Sequence, residues 1–261
     1  MDEKATSQTT PAERATWGKR PKTDEEKEFL RGAHPRFYEL FFVFRVLREL
    51  LMGIRRLHFQ GACVTVFGSA RFDEKHPFYA QTRTLGGELA KAGFTVLTGG
   101  GPGLMEAANR GAKDVGGHSV GCNIQLPNEQ KPNPYVDTWV EFRYFFIRKL
   151  MLAKYSYAFV AVPGGFGTLD ELLEILVLIQ TQKMKPFPVI LFGIEYWRPL
   201  MDLIRNVLIP AGTISPADAD LIVCTNSAAE ATALISDRAM HQFGLTYGPR
   251  AKPRWYLFEK N

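Results

Sequence analysis

Residues 162–172, VPGGFGTLDEL, join a β-rich run to an apolar helical pattern through Gly164, Gly165 and Gly167. Glycine lets a backbone approach a ligand closely and adopt positive φ. The first N–H groups of a helix have no internal partners, and the helix dipole favours an anion beside them. A glycine turn feeding a helix is therefore a cradle for a phosphate or carboxylate. A second such turn, TGGGPGLMEA, carries Gly100 and Gly101 and also precedes a helical pattern. Two cradles in one chain suggest a phosphorylated small molecule. Neither ends in the Lys-Ser/Thr of a nucleotide-triphosphate loop, and Leu104 stands where the dinucleotide fingerprint needs its last glycine.

Acids follow both turns. Thr168 and Glu171 have the spacing of a capping box, in which hydroxyl and carboxylate satisfy two backbone donors. The same spacing also places Glu171 one turn behind the cradle, facing its rim, with Asp170 about 100° away around an ideal helix. Glu106 holds a comparable place after GGGPGLM, either at the site or as a partner of the helix dipole. Arg148 and Lys149, in FIRKL, read either as a solvated pair or as site cations. Their neighbours Tyr144, Phe145 and Phe146 argue for partial burial, and a buried arginine wants a carboxylate or phosphate partner.

The elements that must position these groups alternate between strand and helix. ACVTVFG, FTVLTGGG, HSVGCNI, DTWVEF, YAFVAV, FPVILF and DLIVC are short β-rich runs, with helical patterns from about Pro77, Pro102, Tyr144, Thr168, Tyr196 and Ser227. This order predicts an α/β fold: a Rossmann-like, doubly wound parallel sheet of about seven strands. Ligands of such sheets bind outside the carboxyl ends of the strands, at a switch in strand order. FGSAR, TGGGPGLMEA and PGGFGTLDE all fall at such ends. The sheet domain is expected over 61–243, behind a helical extension over 24–60. In that extension Phe37, Leu40, Phe41, Phe44, Leu47, Leu51 and Ile54 recur at helical spacing. Such a stripe packs on its own domain or on a second subunit. Residues 1–23, rich in Thr, Ser, Lys, Glu and Pro, are expected to be a disordered tail. Residues 244–261 form a short basic one.

The formal charge of +5 sits at the two ends. Residues 1–60 hold 12 Lys and Arg against 9 Asp and Glu, and residues 244–261 hold 4 against 1, so the middle is about neutral. No basic stripe or recognition module points to nucleic acid. The apolar run near residues 37–57 is broken by Glu39, Arg45, Arg48, Glu49, Arg55 and Arg56, which argues against a membrane span. Cys63, Cys122 and Cys224 are scattered and odd in number, and the polar N-terminus has no secretory pattern. Both point to a reducing, cytoplasmic setting.

PGGFGTLDE, GGGPGLMEA and the upstream Arg-Lys pair together resemble the PGGxGTxxE pattern of the LOG (LONELY GUY) family, over roughly residues 60–240. LPNEQKPNPY after the third strand and the helical extension resemble the family's longer bacterial type. The family's members are phosphoribohydrolases of cytokinin riboside 5′-monophosphates and often of AMP. The resemblance implies Arg148 and Glu171 as the catalytic pair. It also implies Gly165, Gly167 and Thr168 at the phosphate, Lys149 and Glu129 completing the nucleotide site, no cofactor or metal, and a homodimer or higher homo-oligomer. Pro102, Glu106 and Val177 differ from the plant-type pattern, and these differences bear on the choice of base rather than on the reaction. A lysine decarboxylase, the label such proteins have often carried, would need pyridoxal phosphate on a lysine, and the acid-rich glycine turn does not explain that chemistry. The alternative is a nucleotide or cofactor carrier on the same fold, without turnover, as among molybdenum-cofactor carriers.

Overall fold

The computed structural model describes residues 25–125 and 132–241. The two expected tails and the loop holding Glu129 lie outside the described residues. The strands are β1 (Cys63–Phe67), β2 (Thr95–Thr98), β3 (Ser119–Ile124), β4 (Thr138–Phe142), β5 (Ser156–Ala161), β6 (Val189–Phe192) and β7 (Ile222–Thr225). They form one seven-stranded sheet in the order β4-β3-β2-β1-β5-β6-β7. Every neighbouring pair is parallel. This is the doubly wound α/β sheet expected from the alternation of elements. Residues of β1, β2, β3 and β6 are buried throughout, which is why those runs lack charge and do not alternate with exposed positions.

Helices α1 (Glu25–Phe29) and α2 (Arg36–Leu57) precede the sheet, and α3 (Pro77–Lys91), α4 (Leu104–Asp114), α5 (Phe145–Lys154), α6 (Phe166–Gln180), α7 (Ile194–Leu203), α8 (Pro216–Ala219) and α9 (Ala228–His241) cover it. One core, with Leu57, Phe142, Met151, Phe159, Leu172 and Trp197, joins the sheet to α2, α5, α6 and α7. A second, with Leu85, Phe94, Leu104, Ala108 and Ile235, joins it to α3, α4 and α9.

Of the stripe predicted on the extension, Ile54 packs on the core of its own domain and the rest does not. Phe37, Leu40, Phe41, Phe44, Leu47 and Leu51 are all exposed. Instead α2 buries Glu49, Gly53 and Leu57, with Phe42, Val46 and Leu50 packed beside them. At about 100° per residue the two sets lie on opposite sides of the helix. Because α2 is apolar on both sides, its periodicity cannot say which side meets the sheet.

The order of strands reverses between β1 and β5. The chain runs outward from β1 through β4, then returns to the other edge of β1 and runs outward through β7. The turn after β1 ties both glycine turns together at this point. The Ser69 N–H donates to the Pro163 carbonyl at 3.1 Å, and the Leu104 N–H donates to the Ser69 carbonyl at 2.9 Å. The contact requires glycine at 103: its φ is +72°, and a Cβ there would lie 2.5 Å from the Ser69 oxygen. Gly103→Ala is therefore expected to cost about 1–3 kcal/mol or more in strain, read as a lower midpoint in thermal unfolding. An unchanged midpoint would contradict this packing.

Candidate functional site

Helix α6 starts at Phe166, with Gly165 as N-cap at φ −96°, ψ −149° and no side-chain cap. The Gly165 carbonyl accepts from the N–H groups of Thr168 and Leu169, both at 3.0 Å. The capping box suggested by the Thr168–Glu171 spacing is not formed. Gly165 turns the chain into the helix three residues earlier than a Thr168 hydroxyl cap would, so Thr168 is the third helical residue and Glu171 the sixth. The Thr168 side chain instead lies against Gly164, where a Cβ would collide with the Thr168 Oγ1. A Cβ at Gly165 or Gly167 would meet nothing within 4 Å. The turn is open to a ligand where its N–H groups point, as an anion cradle must be. Tyr196, on α7, supports it from behind, its hydroxyl donating to the Gly164 carbonyl at 2.7 Å.

Glu171 faces the sheet side of α6 and is only 5% exposed. Arg148, on the first turn of α5, donates from Nη2 to Glu171 Oε1 at 2.6 Å. The guanidinium lies over the Phe145 ring, 4.9 Å from its centre. Burial pushes the Glu171 carboxyl above its ordinary value of 4.5, and Arg148, with a smaller contribution from Lys149, opposes the rise without cancelling it. Glu171 is thus a buried carboxylate with a raised proton affinity, paired with Arg148 near the start of α6. Such a group can accept a proton or stabilise a developing cation.

The other candidates are held by contacts of their own. Lys149 turns to the outer side of α6 and pairs with Asp170 at 2.8 Å and Glu174 at 2.9 Å. Burial pulls its ammonium down, but the two acids more than offset this and leave it above its ordinary value. Gly100 and Gly101 are tied by Asn133. Its N–H donates to the Gly100 carbonyl and its Nδ2 to the Gly101 carbonyl, each at 3.1 Å. Asn133 Nδ2 also donates to Asn109 Oδ1 at 3.0 Å, and Thr98 Oγ1 donates to the same oxygen at 2.7 Å. Glu106 accepts from the Tyr79 hydroxyl at 2.9 Å, so it faces α3. Glu129 lies outside the described residues.

Ser69, Asn133 and Tyr196 escaped the reading of the sequence. Ser69 stood within FGSAR, a turn placed at the right strand end, but its backbone is what knits the loops. Asn133 and Tyr196 act on carbonyls 32 residues away, a distance no local spacing reports. Among the described residues no cluster of His, Cys, Asp and Glu could hold a metal ion, and no helix is long and apolar enough to cross a membrane.

Residues 105–235 match the family described as "Possible lysine decarboxylase". The chain is 31% identical over 182 residues to the cytokinin riboside 5′-monophosphate phosphoribohydrolase LOG of Oryza sativa subsp. japonica, an alignment covering 68% of this chain and 73% of that protein. It is 32% identical over 173 residues to the phosphoribohydrolase LOG3 of Arabidopsis thaliana, covering 64% of this chain and 78% of that one. The chain belongs to the LOG family of phosphoribohydrolases. Among solved structures it is similar to the molybdenum cofactor carrier protein of Chlamydomonas reinhardtii. That similarity is 26% identity and a TM-score of 0.51, over 68% of this chain and 97% of the carrier. The decarboxylase wording does not fit the site. A Schiff-base lysine needs a depressed proton affinity, whereas Lys149 is held charged by two acids.

Carbon-13 NMR titration of Glu171, assigned through Glu171→Gln, is expected to give a pKa above 4.5. Arg148→Ala is expected to raise it further by removing the opposing charge. A Glu171 value at or below 4.5, or one unmoved in Arg148→Ala, would contradict the electrostatics described.

Proposed function

We propose that this protein hydrolyses the N-glycosidic bond of a nucleoside 5′-monophosphate, releasing the free base and ribose 5-phosphate. A cytokinin riboside monophosphate and AMP are the substrates to test first. The observation that carries this reading is the buried Arg148–Glu171 pair beside the uncapped start of α6, in a chain of this family.

The chemistry follows from the residues. The phosphate docks at the head of α6, on the N–H groups around Gly165, Gly167 and Thr168, with the Gly100–Gly101 turn completing the rim. As the C1′–N bond breaks, positive charge builds on the ribose ring. Glu171 stabilises that charge and orients the ribose hydroxyls or the attacking water. The water oxygen bonds C1′, and the proton it gives up ends on the departing base. Arg148 stays charged at any working pH and is no proton donor. It holds Glu171 in place and favours its ionised form. Lys149 and, by the family resemblance, Glu129 complete the nucleotide site.

The likeness to the Chlamydomonas carrier supports a second reading, a ligand-holding protein without turnover. Purified protein with AMP or isopentenyladenosine monophosphate separates the two. Base release from either supports the enzyme; bound AMP with no release supports the carrier. Glu171→Gln and Arg148→Ala are each expected to lower kcat by about two orders of magnitude. Because the Glu171 pKa is raised and the ionised form is needed, kcat/KM is expected to fall as pH drops through a value above 4.5. A flat profile down to that value would contradict the role of Glu171.

We further propose a homodimer in a reducing compartment such as the cytoplasm. Exposed Phe145, Phe146 and Leu150 on α5, Leu173 and Val177 on α6 and the uncovered face of α2 support self-association. Cys63, Cys122 and Cys224 are free thiols. Light scattering on a sizing column is expected to give twice the chain mass at micromolar concentration. A monomer would contradict the dimer.

A further inference from the structure

Helix α5 brings Arg148 to Glu171, yet it has no cap of its own. Its N-cap residue is Tyr144, with no side-chain cap hydrogen bond. The first N–H groups of a helix need partners from elsewhere. Those of the N-cap Tyr144 and of Phe145, with that of Arg143 just before them, find partners on the N-terminal extension. Glu49 Oε1, on α2, accepts from the N–H of Arg143 at 2.7 Å and from that of Tyr144 at 3.2 Å. Glu26 Oε1, on α1, accepts from the N–H of Phe145 at 3.1 Å. The Arg148 N–H donates to the Tyr144 carbonyl at 3.2 Å. Arg148 therefore hangs from the turn that these carboxylates fix.

Glu49 is 7% exposed. Burial raises its proton affinity, and the N–H groups of Tyr144 and Arg143 pull it back. These two bonds cross 94 and 95 residues of sequence and fix the residues that lead into the helix. One turn along α2, Gly53 permits the approach. A Cβ there would lie 2.8 Å from Phe142 Cε1 and 3.1 Å from Met151 Sδ of α5. The Tyr155 hydroxyl, donating to the Ile54 carbonyl at 3.2 Å, closes the far end of the contact. The extension is thus seated along α5 from its first turn to just beyond its last.

We propose that Glu49 is a positioning residue for the reaction: by capping the helix that carries Arg148, it makes the N-terminal extension set Arg148 against Glu171. Displacing a catalytic group by about 1 Å can cost about a hundredfold in rate, so an anchor one helical turn before Arg148, at Tyr144, has leverage. The kinetic part of this inference rests on the phosphoribohydrolase reading; the geometric part does not.

The test uses the full chain with Glu49→Ala, Glu49→Gln and Arg148→Ala, singly and as the Glu49→Ala/Arg148→Ala double variant. Base release from AMP and the carbon-13 titration of Glu171 are both measured. Glu171 is faced by Arg148 and Lys149 from α5 and by Glu174 from its own helix, so its titration reports how closely α5 is held. Glu49→Ala is expected to lower kcat about tenfold or more and to move the Glu171 titration upward, toward that of Arg148→Ala. In the Arg148→Ala background it is expected to add no further loss of kcat. Glu49→Gln keeps an acceptor oxygen and is expected to restore most of both. If Glu49→Ala does not fold, Glu49→Asp, shorter by one methylene, is expected to show the same pattern more weakly. A lowered melting point with unchanged kcat and an unchanged Glu171 titration would reduce Glu49 to a structural role and overturn the proposal, as would additive losses in the double variant. If the wild type releases no base, the phosphoribohydrolase reading fails, and the titration alone still decides the positioning role.

Discussion

Everything in this molecule that bears on chemistry converges on one buried ion pair, Arg148 with Glu171. Local energetics alone do not justify it. Taking two charges out of water costs several kcal/mol per ion, and well-packed apolar residues of similar volume often serve stability as well or better. Arg148 also holds a buried Nε–H with no partner among the described residues, a cost of about 1–3 kcal/mol. Stacking over Phe145 returns about 0.5–2 kcal/mol of this. What the pair sets is the proton affinity of the carboxylate. Burial favours its neutral form and Arg148 its charged form, and in the proposed reaction that carboxylate meets the positive charge developing on the sugar.

The rest of the fold serves that balance by bringing distant segments to one rim. The sheet reverses its winding between β1 and β5, so the turns after β1, β2 and β5 share one edge. Ser69 links them through backbone hydrogen bonds on both sides, and Gly103 must be glycine for the link to close. Asn133 and Tyr196 hold the carbonyls of the two glycine turns. Those carbonyls are turned into the protein, where a ligand does not need them. The second half of the pair reaches the rim differently. Arg148 arrives on a helix whose start is held by acids of α1 and α2, so the first helices of the described chain join the site through another element's backbone.

How much of this the sequence disclosed depended on how local each cause was. The strands were legible because a parallel sheet buried on both faces demands continuous apolar runs. Their spatial order was not, since nothing in a strand names its neighbour. The cradle at Gly164, Gly165 and Gly167 was legible from glycine chemistry. The start of its helix was not: a Thr-x-x-Glu spacing suggested a cap at Thr168, while the N-cap is Gly165, three residues earlier, and Glu171 is left to pair with Arg148. The α2 stripe misled because that helix is apolar on two opposite sides. Glu49 was the least legible of all. In sequence it is a charge interrupting an apolar run, and only its contact with the start of α5 gives it a task. The resemblance to the LOG family supplied what spacing could not, the pairing of Arg148 with Glu171 across 23 residues.

The carrier alternative shares the sheet and the cradle, so binding alone does not separate it from hydrolysis; the destination of a water oxygen does. AMP incubated with the protein in heavy-oxygen water, with the products resolved by mass spectrometry, tests the central claim most directly. Hydrolysis at C1′ predicts unlabelled adenine and ribose 5-phosphate carrying one heavy oxygen, with both lost in Glu171→Gln. Intact AMP recovered from a saturated protein, or label appearing in inorganic phosphate, would contradict it.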